Sequence, residues 1–159
     1  MTIHETRMRA LIEYTRNASS TEPYGCSIYD TNGDLLAAAV GNKKSPINHA
    51  EIQAINECAR LFPDVQWSRL SLYTTGEPCC MCAAACCWSN LKEVIYATDV
   101  PFMITLWGNE SAFRAEEIMG SYPRVPTLIA DVCKAESDQL FLDRNSEYSK
   151  IWQDKKWFR

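Results

Sequence analysis

Two short stretches concentrate the side chains able to do chemistry: His49-Ala50-Glu51 and Pro78-Cys79-Cys80-Met81-Cys82. One imidazole and two thiolates can hold a zinc ion through three protein ligands. An ion held that way keeps its fourth tetrahedral position for water, which marks a hydrolytic rather than a structural site. Cys79 and Cys82 are three residues apart, so in a first helical turn their thiols share one side. There the exposed N–H groups and the positive helix end favour thiolates over thiols. Glu51 is not needed as a ligand, and its expected work is to take a proton from zinc-bound water, whose pKa the metal lowers to about 7. Two positions apart on a helix point to nearly opposite sides, so His49 and Glu51 meet only if the helix end itself faces the site.

Taken singly, these features are ordinary. A histidine at a helix start can be a cap or a surface group, and Cys-x-x-Cys also serves redox pairs and structural-zinc half-sites. The second cysteine pair of a structural site is missing, because Cys86-Cys87 lacks the spacing and falls in the same helix. A non-catalytic zinc or redox module leaves Glu51 unexplained. Together, His-x-Glu and the later Pro-Cys-x-x-Cys form the signature of zinc-dependent nucleobase deaminases. That signature implies loss of an amino group as ammonia, with Glu51 passing protons to a ring nitrogen and the leaving amine.

Composition sets the frame. The chain has 159 residues, 47% apolar and 23% charged, which suits one ordinary globular domain. Sixteen Lys and Arg against twenty Asp and Glu leave a net charge of −4, with basic residues clustered only in the tail at Lys150, Lys155, Lys156 and Arg159. This balance argues against a large nucleic-acid substrate. Charged residues interrupt the first twenty positions and no apolar run is long enough to span a bilayer, so a cytoplasmic address is expected. Of eight cysteines, five crowd between Cys79 and Cys87, too close for ordinary cross-links. Reduced thiols are expected, with Cys26, Cys58, Cys86, Cys87 and Cys133 acting as small buried hydrophobes.

The elements must bring both helix starts to one place. Helical spacing of Ile3, Met8, Leu11 and Ile12 predicts a first helix over residues 1–17. Tyr24 to Tyr29 and Leu35 to Val40 flank an Asn-Gly turn and read as a β-hairpin. A helix over His49–Phe62, a strand over Leu70–Thr75, a helix over Cys79–Asn90 and a strand over Glu93–Thr98 follow. Strands separated by helices imply a sheet that is parallel after its opening hairpin. Beyond Asp99 the sequence suggests a loop containing Phe102 and Trp107, a helix near Ser111–Met119, a strand near Val125–Ala130 and two terminal helices.

At these residues the chain resembles the cytidine deaminase-like superfamily, and within it the branch of small guanine deaminases and tRNA adenosine deaminases. Glu77-Pro78-Cys79-Cys80-Met81-Cys82 and Pro46-Ile47-Asn48-His49-Ala50-Glu51 carry the likeness. It implies a three-layer α/β/α fold with a central five-stranded mixed sheet and helices on both faces, spanning residues 1–159 as a single domain. It also implies one Zn2+ per subunit on His49, Cys79 and Cys82, with Glu51 catalytic. Tyr24, Asn42 and Trp88 look like guanine deaminase positions, which implies ring stacking for the aromatics and base-edge hydrogen bonding for Asn42. Core packing explains Tyr24 and Trp88 equally well, and a turn role explains Asn42. Where guanine deaminases have an Asp-Asp-x-Phe segment, this chain has Glu110-Ser111-Ala112-Phe113, so Glu110 is the expected second acid. The aromatic, basic tail over about 145–159 resembles one that crosses between subunits, which implies a homodimer. The expected substrate is a free nucleobase or related amino-heterocycle, with adenosine in tRNA as the alternative.

Overall fold

A computed structural model describes residues 1–42, 44–107 and 111–154, with side chains through residue 150. The elements run α1 (Ile3–Ala18), β1 (Gly25–Tyr29), β2 (Leu35–Val40), α2 (Ala50–Leu61), β3 (Ser71–Gly76), α3 (Cys80–Trp88), β4 (Glu93–Thr98), α4 (Val100–Trp107), α5 (Ala115–Gly120), β5 (Thr127–Ile129) and α6 (Lys134–Asp154). The strands form one sheet in the order β2-β1-β3-β4-β5. β1 pairs antiparallel with both β2 and β3, whereas β3, β4 and β5 are mutually parallel. This is the mixed five-stranded sheet expected from a hairpin followed by crossover units.

Strand periodicity divides the core into two layers. Leu72 and Val94 face one side with Ala54 and Cys58 of α2 and Ala83 and Cys86 of α3. Tyr73 and Ile95, each one residue further on, face the other side with Met8 and Leu11 of α1 and Leu140 of α6. Sequential residues of a strand point to opposite faces, so two buried faces make these strands nearly continuous apolar runs. Cys26, Cys58, Cys86 and Cys87 are buried in the first layer, as expected of small hydrophobes, whereas Cys133 is only half-buried against the second, and all eight cysteines are free. No helix among the described residues is long and apolar enough to cross a membrane.

Two expectations beyond Asp99 are corrected. Phe102 to Trp107 is not a loop but most of α4. Its start is fixed by the Asp99 carboxylate, which accepts from the Phe102 N–H at 3.0 Å, and by Pro101, which is tolerated in a first turn. The segment is apolar on nearly every face, so it shows no helical period. Among the described residues the terminal region is one continuous helix, α6, rather than two.

Candidate active site

Both ligand-bearing segments sit at helix starts, as the chemistry required, but one position earlier than a helical reading places them. His49 is the N-cap of α2 and Cys79 the N-cap of α3, each with an extended backbone (φ −67°, ψ 153° and φ −66°, ψ 173°). An extended N-cap throws its side chain off the helix end instead of onto its flank. That lets His49 and Glu51, two positions apart, converge. α3 follows directly on β3, whose parallel partner β4 ends beside it with Gly76 opposite Thr98. The site thus lies at the carboxyl ends of the parallel strands, where open α/β sheets bind ligands.

The Nδ1 of His49 lies 3.5 Å from the Cys79 sulfur and 3.6 Å from the Cys82 sulfur. Zn–N and Zn–S bonds of about 2.0 and 2.3 Å at a tetrahedral angle separate nitrogen and sulfur by about 3.5 Å. The donor set therefore has both the chemistry and the spacing of a three-ligand zinc site, and the three ligand atoms all lie within 4.8 Å of one another. A hydrogen bond from the Cys82 thiol, joined by His49 and opposed by burial, holds the Cys79 thiol down to about 4. The same hydrogen bond and burial push Cys82 well up. Cys80, between them, turns aside, its sulfur 3.3 Å from the Ser111 hydroxyl.

Glu51 is buried, 3% exposed, beside this set. Its Oε1 is 3.0 Å from the Thr74 hydroxyl and its Oε2 3.4 Å from the Cys82 sulfur. Burial first, then the Cys79 thiolate, raise its carboxyl above the ordinary range, against the pull of His49 and Thr74. A carboxylate displaced in that direction is better matched to proton transfer near neutral pH.

A cavity of about 190 Å³ opens onto His49, Glu51 and Cys79, with Tyr24, Asn42, Met103 and Tyr148 on its walls. Tyr24 is set among Phe141 (ring centroids 5.0 Å), Tyr148 (5.6 Å) and Trp107 (5.9 Å), with its hydroxyl 3.2 Å from the Met103 sulfur. It is both packed and facing the cavity. Asn42 makes the turn as well as the wall. Its Oδ1 accepts from the Lys44 N–H and from Asn48, and its Nδ2 donates to Gln53 at 2.8 Å.

Trp88 does not join them. It is 80% exposed, edge-on to Tyr122, and outside the cavity lining. Six residues of helix after Cys82 carry it about 9 Å along α3 and onto another face, so the substrate contact implied for it is not met within this chain. Glu110 lies outside the described residues.

Glu22, Glu77, Met103 and Tyr148 line the cavity as well, and no motif or spacing in the sequence marks them for it. Glu77 ties the starts of α4 and α5 to its own segment: its buried carboxylate accepts from the N–H groups of Val100 and Ala115 (2.9 and 2.8 Å) and from Arg114 Nε (2.9 Å). The Arg114 side chain is 39% exposed and its attraction is partly screened, so the two buried N–H groups dominate. Glu77→Ala, which orphans both, is expected to lower unfolding free energy by about 2–4 kcal/mol. The urea midpoint should fall at constant slope, and an unmoved midpoint would show that the clamp is idle.

Comparison with known proteins agrees with this geometry. A probable cytosine deaminase of Schizosaccharomyces pombe is 30% identical over 138 residues, covering 84% of this chain and 78% of its own. A tRNA-specific adenosine deaminase of Rickettsia bellii is 36% identical over 101 residues, covering 61% and 68%. The solved structure of guanine deaminase from Nitrosomonas europaea superposes with a TM-score of 0.78 at 23% identity, covering 92% of this chain and 86% of that one, a likeness of fold. The family model described as the cytidine and deoxycytidylate deaminase zinc-binding region matches residues 1–98. That span takes in both helix starts and every group converging on the metal position, and it makes this chain a member of the cytidine and deoxycytidylate deaminase family, a zinc-dependent hydrolytic deaminase.

Proposed function

We propose that the ring deaminated is a free nucleobase or a close amino-substituted relative, in the manner of guanine deaminases. The observation that carries this is the cavity itself. At about 190 Å³ it falls below the roughly 300–1,000 Å³ usual for drug-sized ligands, a size suited to a bare ring rather than a nucleoside. When bound, zinc supplies a water nucleophilic at neutral pH. Glu51 would carry both protons of the attacking water in turn, the first to the ring nitrogen and the second to the leaving amine. The C–O bond forms first, the C–N bond then breaks, and ammonia leaves. Tyr24 stacks on the ring, and Asn42 offers its second amide hydrogen to a ring edge. Ammonia release should therefore be at least about tenfold faster per unit kcat/KM on the best free base among guanine, cytosine and adenine than on the matching nucleoside. A nucleoside preferred over every base would overturn the assignment.

The 36% identity to a tRNA-specific enzyme keeps adenosine in tRNA as a second reading. The net charge of −4 stands against it, and retention of tRNA at moderate salt separates the two. Two copies are proposed to associate, supported by large exposed apolar groups at Trp88 (80%) and Phe113 (60%). A monomer mass by light scattering would refute this. A reducing, cytoplasmic setting suits the eight free thiols and is checked by cell fractionation.

A further inference from the structure

The cavity wall holds a carboxylate that the hydrolytic chemistry does not use. Of the three acids that line it among the described residues, Glu51 moves protons and Glu77 is tied to Arg114 and two backbone N–H groups. The third, Glu22, is only 5% exposed, yet it lines the same cavity as His49 and Cys79. Its placement is built. After α1, the Ser19 hydroxyl accepts from the N–H groups of Thr21 and Glu22 at 3.2 and 3.0 Å. The Thr75 hydroxyl donates to the Pro23 carbonyl at 2.7 Å and accepts from the Gly25 N–H at 2.9 Å. On the other side, a Cβ at Gly41 would come within 2.9 Å of Glu22 Oε2. Glycine at 41 is therefore what leaves room for the carboxylate next to Asn42. Recognition groups held by such supporting contacts keep the geometry that discrimination needs.

We infer that Glu22 is a substrate-recognition residue whose carboxylate accepts hydrogen bonds from N–H groups on a ring edge other than the one being hydrolysed. The inference deepens the free-base reading and rests on it. An ionised carboxylate only accepts. A ring offering N–H there gains charge-assisted hydrogen bonds, whereas a carbonyl sets lone pairs against lone pairs and a methyl leaves buried charge facing carbon. A carboxylate has about four acceptor positions, so Glu22 can keep contacts within the protein and still receive a ligand. Pockets that hydrogen-bond their substrate reject analogues lacking the donor far more strongly than apolar pockets reject an altered shape.

The test uses the zinc-loaded full chain, its Glu22→Gln variant, guanine with its 1-, 7- and 9-methyl derivatives, and cytosine with its 1-methyl derivative. Each methyl group removes one ring N–H and leaves the reacting amine in place. Affinity is read by calorimetry and kcat/KM by ammonia release. In the native protein at least one methylation is expected to cost about tenfold or more, and in Glu22→Gln that penalty should shrink to about threefold or less, with zinc content unchanged. Gln is nearly isosteric, so a merely steric methyl penalty would persist. Equal penalties in both proteins, or no binding of either base series, overturn the assignment. If the Glu22-dependent penalty appears in affinity but no ammonia is released, the free-base deaminase reading fails and the recognition role stands. If ammonia is released and the penalties match, the reverse holds. Gly41→Ala, which displaces the carboxylate without deleting it, should shrink the same penalty and serves if Glu22→Gln does not fold.

Discussion

Glu51→Gln is expected to retain one zinc per chain and to lose about 10²–10⁴ in kcat. The two halves of that result test different things. Retained metal follows from the ligand set, which is complete in His49, Cys79 and Cys82 without the carboxylate. Lost turnover follows from chemistry: the amide keeps the size of the acid and can still meet the Thr74 hydroxyl that lies 3.0 Å from Oε1, but it cannot carry a proton from water to ring. Because the variant changes no volume in a buried site, a folding defect is a poor rival explanation. Metal analysis beside single-turnover ammonia release decides the matter. Unchanged turnover on the best ring would remove Glu51 from the mechanism.

Adjacent cysteines should give opposite outcomes. Cys79→Ala removes one of three ligands, and since metal and proton carrier act as a unit, zinc occupancy and ammonia release should both fall by at least about 10²-fold. Cys80→Ala should leave both within about twofold, because its half-buried thiol is turned toward Ser111 at 3.3 Å and is not one of the three ligand atoms that cluster. Zinc titration and turnover on the two proteins provide the check. Loss of zinc from the Cys80 variant would mean that the ligand pair has been misassigned.

The contrast explains what could be read from the chain beforehand. Ligand chemistry travels with residue type and spacing, so His49, Glu51, Cys79 and Cys82 were legible, as were α1 through β4, whose apolar periods and turn residues are strong. Buried polar contacts over long separations are not legible that way. Glu77 stands inside a recognisable phrase, yet its partners are the N–H groups of Val100 and Ala115, 23 and 38 positions away. Glu22 stands in a Ser-Thr-Glu-Pro loop where no spacing marks it, and its place in the cavity wall beside Gly41 depends on contacts distant in the chain. α4 went unread because helical period disappears when every face is apolar. Trp88 shows the converse: an aromatic at a familiar offset still depends on which side of a helix it falls.

His49, Glu51, Cys79 and Cys82 lie within residues 1–98, the span of the family match, while Met103 and Tyr148 reach the cavity from later elements. The cavity wall is thus shared between that span, through Glu22, Tyr24 and Asn42, and the elements that follow it, whereas the metal-site groups all lie within the span. Substitution at Met103 or Tyr148 can therefore reshape the far wall of the cavity while every metal ligand stays in place.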